Sequence, residues 1–96
     1  MNNIDLMNYW VNSSQNDYET MKLLFNNKKY TWSLFIGHLV IEKLLKGLYA
    51  KNNIESPYCI KTHNLLLLAE KCELNLSYCD IDKLKIISEF NIIRKI

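Results

Sequence analysis

The chain reads as all-α, an up-and-down bundle of four helices, and three observations predict it. Only two glycines and one proline occur in 96 residues, too few for the many turns of a sandwich or barrel. Apolar residues recur at helical steps in four separate stretches. The connections between those stretches are short, so consecutive helices should run antiparallel. A length of 96 residues makes one domain, 1–96, near the lower end of the usual range. Hydrophobic residues at 49% and charged residues at 23% fit a folded globular composition.

The first helix is expected from about Asp5 to Asn27. Leu6, Trp10, Val11, Tyr18, Met21, Leu24 and Phe25 fall close to helical steps and form its buried stripe. Asn12, Gln15, Asn16, Glu19 and Lys22 should face water. Asn26-Asn27-Lys28-Lys29 breaks the pattern. The second helix runs from Tyr30 to about Lys51, and Glu55-Ser56-Pro57 marks the loop after it, because the residue before proline is pushed out of helical conformation. Thr62 is a reasonable N-cap for a third helix through about Glu73. Asn75 to Cys79 turns the chain. Asp80 or Asp82 would cap a fourth helix carrying Ile81, Leu84, Ile87 (or Ile86) and Phe90 at helical spacing and continuing to Ile92 and Ile93.

The second helix is the most informative element. Ten of its residues between Leu34 and Tyr49 are Leu, Phe, Ile, Val or Tyr. An ordinary surface helix carries one apolar stripe, whereas this one leaves only a narrow polar strip of His38, Glu42, Lys43 and Lys46. Such a helix must be covered from more than one direction, and in a chain this short a second copy is the expected second cover. Ser33 and Gly37 are small residues four apart, and a glycine inside a helix costs up to about 1 kcal/mol, so close packing is the natural reason for it. Ser33, Gly37, Val40, Ile41, Leu44 and Leu48 are the residues expected to form a symmetric dimer contact.

Charge excludes little. Twelve basic against ten acidic residues leave +2, too balanced to claim nucleic acid on charge alone. Cys59, Cys72 and Cys79 are odd in number and contain no C-x-x-C pair, the pattern of free thiols in a reducing compartment. The apolar run near residue 40 is broken by charge and should not span a bilayer. A cytoplasmic protein is expected.

His38, Glu42 and Lys46 lie four residues apart, hence on one helix face, with Lys43 beside them. A carboxylate with two ammonium groups and an imidazole would bind a phosphate or move protons. The plain alternative is a Glu42–Lys46 pair on a solvated strip, worth roughly 0.3–0.5 kcal/mol. His63 opens the third helix, where its plain role is a local hydrogen bond that fixes the loop. Cys59-x-x-x-His63 gives two metal ligands without a second pair, so no metal site is expected. Neither a glycine-rich phosphate loop nor a G-x-S-x-G or H-E-x-x-H motif is present, and no cofactor is expected.

Together, Trp10, Asp17, Leu23-Leu24, Tyr30, Phe35, His38, Glu42-Lys43, Leu45-Lys46 and Thr62-His63-Asn64-Leu65 make the chain resemble the HEPN domain, the nucleotide-binding domain of higher eukaryotes and prokaryotes. The family's E-K-x-L-K is Glu42 to Lys46 here, and Asn64 replaces the usual Asp of its T-H-D-L motif. The resemblance implies a dimerising bundle of four or five helices. It also implies a small nucleotidyltransferase as partner in a toxin–antitoxin or regulatory pair, with a nucleotide or RNA as ligand. Many members are metal-independent ribonucleases using R-x(4-6)-H, which cannot be written on this chain. Arg94 is the sole Arg and resembles the Arg of the family's aromatic-x-x-x-Arg-Tyr-Pro segment, with Phe90 as the aromatic. Lys95-Ile96 stands in place of Tyr-Pro, so a bundle without the family's last helix or tail is expected.

The reading is therefore a homodimeric HEPN-type binding module, leaning away from an enzyme, with His38, Glu42, Lys43, Lys46, His63 and Arg94 as candidate binding residues. The alternatives are a ribonuclease toxin with an atypical active site, or a degenerate remnant that keeps the fold alone.

Overall fold

The computed structural model describes residues 2–88. Four helices follow one another: α1 (Asn3–Asn26), α2 (Tyr30–Asn52), α3 (Leu65–Lys71) and α4 (Tyr78–Ser88). The all-helical bundle expected from the sequence is what forms. The expectations for Phe90, Ile92, Ile93 and Arg94 lie outside the described residues.

Helix α1 starts two residues earlier than its apolar pattern indicates, because Asn2 caps it: its Oδ1 accepts from the Asp5 N–H at 2.8 Å. It ends where Lys28 takes a left-handed φ of 62° and the Lys29 N–H reaches back to the Leu24 carbonyl. Helix α2 then returns antiparallel along α1. Ser33 Oγ donates to the Met21 carbonyl at 2.9 Å, and Asn3 Nδ2 donates to the Lys51 carbonyl at the other end of the hairpin.

The small residues of α2 serve this crossing. A Cβ on Gly47 would stand 3.3 Å from Trp10 Cβ and 3.5 Å from the Met7 carbonyl oxygen, both close to the α1 backbone. One on Gly37 would stand 3.1 Å from Met21 Sδ, the far end of a flexible side chain. Ser33 and Gly37, expected at a dimer contact, are thus engaged with α1 of the same chain. The two glycines should respond differently. Gly37→Ala should be neutral or stabilising by up to about 1 kcal/mol, since Met21 can swing aside and alanine favours the helix. Gly47→Ala should lose that gain, because Trp10 Cβ moves only with its backbone. Urea unfolding of both variants checks the order; equal stabilities would contradict it.

On another flank, α2 meets α3 and α4. The core is Leu45, Leu65, Leu68 and Ala69, the last three with no exposed surface, ringed by Ile41, Cys59, Cys72, Leu76, Leu84 and Ile87. Central α2 is therefore covered from two sides within one chain. Even so, Leu34 and Leu44 remain 44% and 46% exposed. On α1, Val11, Tyr18 and Phe25 of the expected buried stripe are also exposed, the last because no described helix covers the turn end of the hairpin.

Three further boundaries differ from the sequence reading. Thr62 does not cap α3; Asn64 does, its Oδ1 accepting from the Leu67 N–H, while Thr62 Oγ1 accepts from the Asn64 N–H and shapes the approach. Helix α3 stops at Lys71, and Glu73 just beyond has a left-handed φ of 58°. Helix α4 is capped by Ser77, whose Oγ accepts from the Asp80 N–H, rather than by either aspartate. At its far end, Ser88 Oγ accepts from the Leu65 N–H and fastens α4 to the first turn of α3.

Candidate functional site

The helical period puts His38, Glu42 and Lys46 on one face of α2, and that face is turned inward. His38 has no exposed surface and Glu42 only 4%. The solvated strip of the plain alternative does not form, because α3 and the loop before it lie over this face. The loop carries His63 across it. Asn64 and Thr62 fix the backbone there, so the His63 carbonyl and ring both face α2.

The contacts define protonation by simple chemistry. A carbonyl can only accept, so His38 Nε2 carries the hydrogen it donates to the His63 carbonyl at 2.8 Å. His38 Nδ1 is buried and has no hydrogen-bond partner among the described residues. Glu42 holds both of its neighbours: Oε1 accepts from His63 Nδ1 at 2.5 Å, and Oε2 pairs with Lys46 Nζ at 3.4 Å. Lys46 also lies over the Trp10 ring, 5.2 Å from its centroid. His63 keeps 45% of its side chain exposed, and no described residue bonds its Nε2.

Lys43 is not part of this cluster. One residue on from Glu42 it turns toward α1, where Nζ meets Asp17 Oδ2 at 2.6 Å and Ser13 Oγ at 2.7 Å. Its charge is already matched. These partners lie 26 and 30 residues away in sequence, so no spacing rule could have found them. Arg94 lies outside the described residues. The structure thus brings His38, Glu42, Lys46 and His63 together and sets Lys43 apart. Trp10 is the site neighbour that the residue pattern assigned only to a buried stripe.

A nearly buried carboxylate holding an imidazole by Nδ1 leaves the opposite nitrogen to accept a proton or face an anion, with an ammonium group alongside. The arrangement thus suits a phosphate or a hydroxyl that must lose its proton. Cys59 lies near this cluster: burial pushes its thiol up, opposed by the nearby Ile60 backbone and by the Lys46 and Lys71 charges. Burial likewise raises Cys72, helped by Cys59. All three cysteines are free, and only Cys79 is exposed. A thiol reagent at pH 7.5 should therefore label Cys79 first, with Cys59 and Cys72 following at least tenfold more slowly; peptide mapping by mass spectrometry checks the order.

An antiparallel helical hairpin is backed by two shorter helices, with a Glu–His–Lys cluster between the second helix and the loop before the third. The chain belongs to the HEPN domain family, whose sequence profile matches residues 7–95. No curated protein and no solved structure matches it. No helix of the described residues is long and apolar enough to cross a membrane.

Proposed function

We propose that the chain acts as a HEPN-type homodimeric binding module. In this reading it is the cytoplasmic partner of a small nucleotidyltransferase in a toxin–antitoxin or regulatory pair, and it takes a nucleotide phosphate at Lys46 and His63. One observation carries the dimer. Ile41, Leu44 and Leu48 follow one another along α2 at steps of three and four, the spacing of a helix-pairing seam. Leu44 within that seam is 46% exposed. Between Ile41 and Leu48, Lys43 is matched by Asp17 and Lys46 by Glu42, so two copies can meet there without opposing unpaired cations. Gly37 and Ser33 contribute to the seam only through the room they give α1.

The phosphate reading rests on Lys46 and His63, with Glu42 positioning both. His38 holds the loop and has no surface to offer a ligand. Titrating ATP into the protein by calorimetry tests it. Lys46→Ala should weaken binding about tenfold, the loss of one charge-assisted contact, and Lys43→Ala should leave it unchanged. Equal affinities for wild type and Lys46→Ala would overturn the assignment. Purification of the tagged chain from its source cells should bring down a nucleotidyltransferase in fixed ratio.

The Glu42–His63 pair favours one second reading, RNA cleavage with His63 as general base in place of the family's R-x(4-6)-H. Wild-type protein would then cleave RNA in the presence of EDTA, and His63→Ala would abolish the cleavage while remaining folded. No cleavage by freshly purified wild type would remove this reading.

A further inference from the structure

The turn end of the α1–α2 hairpin is chemically unlike the rest of the molecule. From Thr20 to Ile41, 22 residues contain no Asp or Glu, and the fixed charges are Lys22, Lys28 and Lys29. None of these lysines is ion-paired among the described residues; Lys22 lies over the Tyr18 ring, 4.8 Å from its centroid. The same end exposes Leu23 at 64%, Phe25 at 61%, and Tyr30 and Trp32 at 51% each. Beside it, an apolar groove of about 550 Å³ is lined by Met21 and Phe25 of α1, Leu34, Val40 and Ile41 of α2, and Ile87 of α4. Lys22 stands on its wall.

We infer that this groove is the docking site for an amphipathic helix of a partner protein, one with an apolar face and acidic flanks. The groove follows α2 from Ser33 to Ile41, about 12 Å, which takes a helix of roughly two to three turns. Its lining offers pockets for apolar side chains at i, i+3 or i+4, and i+7. The three lysines supply the complementary charge for glutamates or aspartates along the flank of the bound helix, setting its orientation and speeding its encounter.

A second copy fits this end poorly. Pairing the two turn ends would bring six unmatched lysine charges together with no acid from residues 20–41 on either side. The neutral stretch around Leu44 has no such conflict. The two parts of the apolar surface of α2 thus suit different occupants. Single-stranded nucleic acid also uses aromatic rings with cations, but a groove walled by Met, Leu, Val and Ile offers little to a phosphate backbone.

Isothermal titration of the full chain with three synthetic helical peptides tests the inference. All share a 14-residue design: one has leucines on one face and glutamates elsewhere, one replaces the glutamates with lysines, and one replaces the leucines with serines. The acidic leucine peptide should bind at least tenfold tighter than either control, and raising salt from 50 to 500 mM should weaken it. The combined Lys22→Glu, Lys28→Glu, Lys29→Glu variant should reduce that binding at least tenfold. Leu44→Glu should leave it intact while acting on the dimer, so failure here and failure of the dimer reading are distinguishable. Equal binding of the acidic and basic peptides would overturn the inference, as would no binding, or unchanged binding by the lysine variant. Groove occupancy by a second copy would appear as self-association lost on Leu34→Glu and would overturn it as well. Binding of oligo(dT) or of phosphatidylserine vesicles in preference to the acidic peptide would assign the surface to nucleic acid or membrane instead.

Discussion

His38→Ala is expected to destabilise the fold by about 3 kcal/mol, the cost of a large-to-small change at a buried site plus the lost bond to a part-buried carbonyl. The ring has no exposed surface and spans from α2 to the loop before α3. Removing it opens a cavity and strands the His63 carbonyl. A small offset comes from deleting Nδ1, which has no partner among the described residues. For a domain of this size the loss should lower Tm by roughly 10–20 °C. Local consequences should follow, because His63 is positioned through its own carbonyl as well as its ring. His38→Gln supplies an amide N–H donor and should recover part of the stability. Thermal and urea unfolding of both variants decide the matter; a His38→Ala protein within about 0.5 kcal/mol of wild type would show that the bridge does not hold the loop.

Leu44→Glu should raise the dimer dissociation constant by about 100-fold or more, through lost apolar contact and two carboxylates opposed across a two-fold axis. In the isolated chain Leu44 is nearly half exposed, so the monomer's own stability should change by only about 0.5 kcal/mol. Sedimentation equilibrium of the two proteins over a range of concentrations measures both states. A wild type that stays monomeric throughout, or a variant that dimerises as strongly, would remove the proposed seam. Circular dichroism melts of the variant guard against mistaking unfolding for dissociation.

How far the sequence could be read depended on the range of each interaction. Helix type and number were legible because periodic apolar residues and the near absence of glycine and proline act over short spans. The shared face of His38, Glu42 and Lys46 was legible for the same reason. Which way that face points was not, since charged residues on a helix are usually solvated and the cover comes from His63 and α3, some 20 residues on. Lys43 shows the limit most plainly. Its neighbour Glu42 faces the opposite flank, and only the crossing of α1 over α2 decides that Lys43 meets Asp17. The N-terminus of α3 was misplaced for a narrower reason: Thr62 and Asn64 are both good caps two residues apart, and the hydrogen bond from Asn64 N–H to Thr62 makes Asn64 the cap.

The placement of the two tryptophans gives the molecule two optical reporters. Trp10 lies against Lys46 at the Glu42–His63 cluster, whereas Trp32 stands half exposed at the turn end of the hairpin, edge-on to Phe35. An anion drawing Lys46 off the indole would alter the emission of Trp10, and a helix laid over the turn end would shift that of Trp32 to the blue. With Trp32→Phe and Trp10→Phe each leaving one emitter, the same unlabelled chain can show whether occupancy of one surface is felt at the other.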